Sequence, residues 1–316
     1  MIWFVVIAVI FVALFGINYY YTEVVLWGSQ ANNILRAKKG KWDVVTLGST
    51  MCKYAFDFKD SGVDGFNFGY AAQFFYYTDI TLRSYSKYFN KGCWVVITCP
   101  NLVFAEPGKG VYFSPEMMKM FSKESLGDEY NFRKYITDVK YPIFFHPTLL
   151  LNVFRYMLTS KPVSDFTITG NPLDAEGMKK NAEAIYGSWD RNFHIEQMAS
   201  ENRPDEMERK INHSRELLSG MIQYCLNNGF RPVLAVTPIS KALDQYIYRE
   251  KEKILFDNIR LANKQQVPVL NYLQDERFED DSLYLNSFKL NATGRKRLTD
   301  ILLNDLNFID KQNDQS

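Results

Sequence analysis

The chain has 316 residues, long enough for one large domain or two smaller ones with a sizeable core. Hydrophobic residues make up 47% of it and charged ones 23%, which excludes a disordered or fibrous chain. Lys and Arg (37) nearly balance Asp and Glu (36), so a net charge of +1 gives no field to draw nucleic acid, and no nucleic-acid partner is expected.

The first element is Ile2 to Ile17, "IWFVVIAVIFVALFGI", which carries no charge and runs into Asn18 and the cluster Tyr19-Tyr20-Tyr21. Counted through Thr22 it has about the 20 residues that a helix needs to cross the hydrocarbon core, with aromatics where an interface belt places them. Residues 1–22 therefore read as a single-pass membrane anchor and 23–41 as a juxtamembrane linker. A cleaved signal peptide is the main rival, but it needs a basic start and a small-x-small cleavage site, and neither is evident. A buried core helix is the third reading. A positive-inside count places the basic cluster Arg36 to Lys41 in the cytoplasm, although that cluster sits at the edge of the counting window.

After the anchor, short runs rich in Val and Ile alternate with longer helical patterns. The runs Asp43–Leu47, Gly65–Phe68, Trp94–Cys99, Pro232–Thr237 and Val267–Leu270 have strand length and are bounded by Gly, Pro or Asn. Helices are predicted near 71–88, 205–228, 249–266 and 292–304. This alternation predicts an α/β fold, a parallel five-stranded sheet covered on both faces, over residues 42–309. The segment 103–195, rich in aromatics, Met and Pro, reads as a helical or lid insertion, and 310–316 as a frayed polar tail.

Ligands of open α/β sheets collect beyond the carboxyl ends of the strands. Here those ends read Gly48-Ser49-Thr50, Gly69-Tyr70-Ala71, Pro100-Asn101 and Pro238-Ile239-Ser240. The cysteines at 52, 93, 99 and 225 show neither CxxC nor metal-ligating spacing, so no metal or cofactor is expected, and they leave disulfide pairing open. Cys52 and Cys99 lie at strand ends where they could pair, or where Cys52 could react; buried inert thiols are the default.

Taken in order, four turns resemble the four blocks of the SGNH/GDSL hydrolase superfamily of esterases, lipases and carbohydrate acyltransferases. The closer likeness is to its membrane-anchored envelope members in teichoic-acid D-alanylation and exopolysaccharide O-acetylation, over roughly residues 42–104 and 205–304. The resemblance implies a flavodoxin-like doubly wound sheet and an extracytoplasmic domain. It puts Thr50 at the nucleophile position with Ser49 beside it, Gly69 at an oxyanion-hole glycine, and Asn101 near the third block's donor. In "YLNSFKLNATGRKRL", Leu290, Asn291 and Gly294 match the fourth block, while Asn286 stands in place of the acid and Lys289 in place of the base.

These exchanges weaken the usual chemistry. A threonine's extra methyl crowds its approach to a carbonyl, and a lysine near pKa 10.4 must be strongly depressed to act as a base near neutrality. An Asn orients a partner but does not stabilise a cation as a carboxylate does. His146, in the insertion, could fold over the site, although a lone His in apolar text is more often structural.

Three readings follow. The first is a degenerate, non-hydrolytic domain that binds a glycan or acyl carrier beside a polytopic membrane O-acyltransferase. The second is a working esterase or O-acyltransferase in which Lys289 activates Thr50 or Ser49. The third is a flavodoxin-like domain of other function.

Overall fold

A computed structural model of the protein describes residues 1–100, 104, 113–161, 173–200, 202–247 and 249–313, without the side chains of 249, 250, 312 and 313. The chain starts with α1 (Ile2–Tyr20), a π-helical continuation Tyr21–Val25, and α2 (Gln30–Arg36). Then come β1 (Trp42–Leu47), α3 (Thr50–Lys53), β2 (Gly65–Asn67), α4 (Phe75–Tyr85) and β3 (Phe89–Thr98). Short helices α5 (Met117–Met120), α6 (Lys123–Leu126), α7 (Phe132–Lys134) and α8 (Pro142–Phe145) precede α9 (Leu150–Thr159). They are followed by α10 (Ala175–Phe193), α11 (Ile195–Ala199), α12 (Asp205–Asn227), β4 (Arg231–Val236), α13 (Lys241–Asp244), α14 (Arg249–Ala262) and β5 (Val269–Asn271). The hairpin β6 (Tyr284–Asn286) and β7 (Lys289–Leu290) leads into α15 (Ala292–Asn313).

These elements form two compact units, Met1–Gly40 with Tyr112–Thr169, and Lys41–Val111 with Gly170–Ser316. The second holds a five-stranded parallel sheet in the order β2-β1-β3-β4-β5. Its central strands are apolar and β-branched because both faces are covered: Val45, Leu47, Val95, Val96, Ile97, Val233 and Leu234 are fully buried. The strand order reverses direction between β1 and β3, and the carboxyl ends beside such a switch point are where ligands of open α/β sheets generally bind. Strand β3 begins at Phe89, earlier than its apolar run suggests, because Trp42 pairs with Phe89 across an irregularity in the register.

The helices of this unit follow their apolar spacing. In α12, Met207, Ile211, Ser214, Leu218, Met221, Ile222 and Cys225 form the buried stripe. In α15 the stripe Leu298, Leu302 and Leu306 carries the helix well past residue 304, and an Arg231–Asp310 ion pair holds its last turns. The polar tail is thus helical through Asn313.

In the first unit the apolar helix and its continuation, Ile2–Val25, are long and apolar enough to cross a membrane, and only 6% of the apolar window is buried. Its far end is built into a folded core. Tyr21 and Val25 cluster with Ile143 and Val153, and the amide of Asn18 donates to Lys140 O (2.9 Å) and accepts from Ile143 N–H (3.2 Å). The stretch 23–41, expected as a linker, is largely helical, with Ala31, Ile34 and Ala37 buried. The segment 103–195, expected as one insertion, is shared out: residues 113–161 belong to this unit and α10 to the sheet unit.

Candidate functional site

The turn after β1 can form only around glycine. Gly48 sits at φ +147°, and a Cβ there would run into Thr98 Oγ1 and lie 3.2 Å from Cys52 Cβ. Thr98 in turn donates to Leu47 O (3.0 Å), which ties the ends of β1 and β3 together. Ser49 then caps α3 through its backbone, Lys53 N–H donating to Ser49 O (3.0 Å), while its side chain makes no capping bond.

Thr50 follows as the first residue of α3, and its hydroxyl accepts from Ala72 N–H (3.3 Å). Among the described residues nothing accepts the Thr50 hydroxyl proton. Ala72 is held at φ 57°, a left-handed conformation costly for a residue with a Cβ. Ala72→Gly should therefore raise unfolding free energy by up to about 1 kcal/mol, less the entropy that glycine adds to the unfolded chain. Urea unfolding of the full chain in detergent would measure it, and a loss of stability would mean the Ala72 methyl makes contacts worth more than the strain.

The second turn is organised by a residue that the sequence did not single out. Asn67, at the end of β2, donates its amide to Cys52 O (3.0 Å), Phe56 O (2.9 Å) and Lys53 O (3.3 Å), satisfying carbonyls at and beyond the end of α3. Its Oδ1 accepts from Gly69 N–H at 2.8 Å. The Gly69 N–H, the candidate oxyanion donor, is thus engaged by Asn67 in this arrangement. Gly69 is required sterically, since a Cβ would clash with Lys53 N and lie 2.8 Å from Cys52 C and Lys53 Cα.

The fourth block forms the β6–β7 hairpin. Asn286 Oδ1 accepts from Lys289 N–H (3.0 Å) and Phe288 N–H (3.3 Å), so its side chain closes the Ser287-Phe288 turn. That turn is pinned from outside: Asn181 on α10 accepts from Ser287 N–H (3.1 Å) and Oγ (2.8 Å), and Ser240 N–H donates to Ser287 O (3.0 Å). Arg295 at the start of α15 pairs with Asp57, and Thr299 Oγ1 accepts from Asp57 N–H at 2.8 Å. These bonds hold the fourth block against the segment that follows α3.

The result is a pair of ammonium groups on one aromatic ring. Lys289 Nζ lies 4.7 Å from the Tyr54 ring centroid and Lys53 Nζ 5.3 Å from it. Burial first, and the Lys53 charge second, lower the pKa of Lys289. Among the described residues the Lys289 ammonium has no ion-pair or hydrogen-bond partner, and it does not hydrogen-bond to the Ser49 or Thr50 hydroxyl. Asn101 lies outside the described residues.

The thiols do not supply a nucleophile. All four cysteines are free and buried, and burial pushes Cys52 up to about 12. His146 belongs to the other unit, where its Nε2 meets Asp138 Oδ1 at 3.0 Å. Among the described residues no three His, Cys, Asp or Glu side chains gather as a metal site would require. No protein-family model matches the chain, and no curated protein matches it in sequence.

Proposed function

We propose that the protein is a membrane-anchored domain of the SGNH/GDSL, flavodoxin-like plan whose crevice binds a ligand without hydrolysing it. The observation that carries this is the state of Lys289: its ammonium rests on Tyr54 beside Lys53 and makes no bond to either candidate nucleophile. With the Thr50 proton lacking an acceptor and Asn286 committed to a turn, the parts of a triad do not act as a unit, and a triad loses most of its power when its members act singly. The half-buried Lys289 ammonium, which has no anionic partner among the described residues, suits an acidic glycan or the phosphate of an acyl carrier, either of which supplies negative charge. On this reading the domain works outside the cytoplasm beside a polytopic membrane O-acyltransferase in cell-envelope or exopolysaccharide modification. Integration of the far end of α1 into a folded core supports a retained anchor over a cleaved signal peptide.

The test is direct. The full chain in detergent should show no labelling by a fluorophosphonate probe and no turnover of an activated acetyl ester, while Lys289→Gln weakens retention on an anionic glycan. Labelling or turnover abolished by Thr50→Ala would overturn the proposal.

One observation favours the second reading, an esterase or acyltransferase using Thr50 or Ser49. The pKa of Lys289 is lowered, the direction a general base needs. Only the neutral amine accepts a proton. Any such activity should therefore be absent at low pH, appear as pH rises through the lowered Lys289 value, and vanish in Lys289→Gln.

A further inference from the structure

Helix α9 shows two faces. Val153, with Leu150 and Tyr156 partly buried beside it, packs into the cluster that contains Ile17, Tyr20, Tyr21, Val25 and Leu26 of the apolar helix and its continuation. Tyr156 meets Tyr20 edge to face at 5.7 Å between ring centroids. The opposite face presents Leu151, Phe154 and Leu158 at i, i+3 and i+7, exposed by 70, 60 and 87%. Met157 and, from α8, Phe145 extend the same apolar surface, exposed by 65 and 53%.

We infer that this face is a second membrane contact, an interfacial helix lying at the boundary between acyl chains and lipid headgroups. The reason is its level along α1. At about 1.5 Å per residue, the segment from Ile17 to Leu26 lies roughly 22 to 36 Å from Ile2, which straddles the edge of a hydrocarbon core about 30 Å thick. Whatever is seated on that segment sits at the interface. The short helix α8 meets the same stretch through Ile143, which clusters with Ile17, Tyr21 and Val25, and reaches slightly deeper where the Phe144 ring lies 4.9 Å from that of Phe15 between centroids. A soluble surface would expose these side chains to water, whereas an amphipathic helix at this depth buries them among acyl chains. Lys140, Arg155 and Lys161, all exposed, flank the apolar face and suit anionic headgroups. This contact would fix the tilt and rotation of the unit on the bilayer, which a lone spanning helix leaves open.

The inference goes beyond the proposed ligand-binding role and rests on α1 spanning a bilayer, so both are probed at once. Because the native cysteines are buried, single introduced cysteines can carry an environment-sensitive fluorophore: Phe154→Cys, Leu158→Cys, Val9→Cys and, as an exposed control, Glu124→Cys. The full chain is reconstituted in phosphatidylcholine vesicles containing phosphatidylglycerol, with nitroxide lipids labelled near the headgroup or near the chain end. Shallow nitroxides should quench the 154 and 158 probes at least about twofold more than the 124 probe, and deep ones should quench the Val9 probe. If the Val9 probe is quenched while 154 and 158 remain in water, the interfacial contact is overturned and the anchor stands. Probes at 154 and 158 that are shielded from water yet unquenched by lipid would also overturn it, since a protein would then cover the face. A Val9 probe that escapes deep quenching would overturn the spanning helix and the inference with it.

Discussion

Gly69→Ala is expected to lower unfolding free energy by about 3 kcal/mol or more, placing it at the severe end of overpacking. The added methyl would meet backbone atoms, Lys53 N together with Cys52 C and Lys53 Cα, and backbone in a hydrogen-bonded turn does not swing aside as a flexible side chain does. The turn has little freedom to yield. Gly69 N–H is bonded to Asn67, Asn67 holds the carbonyls at the end of α3, and Tyr70 N–H donates to Gly48 O at 3.1 Å. Gly220 provides the contrast, because it lies on the exposed side of α12 with no atom near a built Cβ. Gly220→Ala should gain about 0.5 to 1 kcal/mol through helix propensity alone. Denaturant unfolding of both variants as full chains in detergent separates the two effects. A Gly69→Ala cost below about 1 kcal/mol would mean that α3 can shift away from the β2 turn.

The central strands were legible because a parallel strand buried on both faces has no polar phase to confuse it. The runs around Val45, Val96 and Leu234 therefore fell within a few residues of β1, β3 and β4. Helix ends were less legible where the signal is tertiary. The extension of α15 depends on Leu306 and on Asp310 reaching Arg231, and neither follows from local text. Division of the aromatic-rich segment was illegible for a related reason: periodicity shows that Val153 and Met178 face a core, not that they face different ones. In the site, the residue types at Ser49, Thr50, Asn286 and Lys289 could be read off, but their partners could not. An amide such as Asn286 or Asn67 serves equally as catalytic orienter, cap or turn-closer, and only geometry tells which. A clue to Asn67 was available in its place at the end of a strand, two residues before a glycine turn. Asn181 had none, since its role depends on α10 meeting the Ser287 turn.

Asn67→Ala should cost about 2 to 3 kcal/mol, since it removes one acceptor and an amide that donates to three carbonyls in a half-buried turn. The more telling variant is Asn67→Asp, which keeps shape and volume. One oxygen of an ionised carboxylate still accepts from Gly69 N–H, but the other, in place of the amide nitrogen, turns its lone pairs toward Cys52 O, Lys53 O and Phe56 O, where the native amide donated. At pH 7 this variant should be less stable than Asn67→Ala, because repulsion is added to the lost bonds. The same repulsion raises the folded-state pKa of the introduced carboxyl above its unfolded value of about 3.9. In that window the native state binds more protons than the unfolded state, so stability of Asn67→Asp relative to Asn67→Ala should rise as pH falls from 7 through the raised value. The gain should level off near the unfolded value, where both states are protonated and one O–H donor is restored. Paired denaturant titrations of the two variants between pH 7 and about 4 measure this difference directly and cancel the titration of every other group. A flat difference across that range would mean that the carboxylate has rotated out to water and that the bonds to the end of α3 are made some other way. Those bonds also fix Lys53 and Tyr54 beside Lys289, so on the proposed ligand-binding role Asn67→Ala should weaken anionic-glycan retention together with stability, whereas Lys289→Gln should weaken retention without comparable loss of stability.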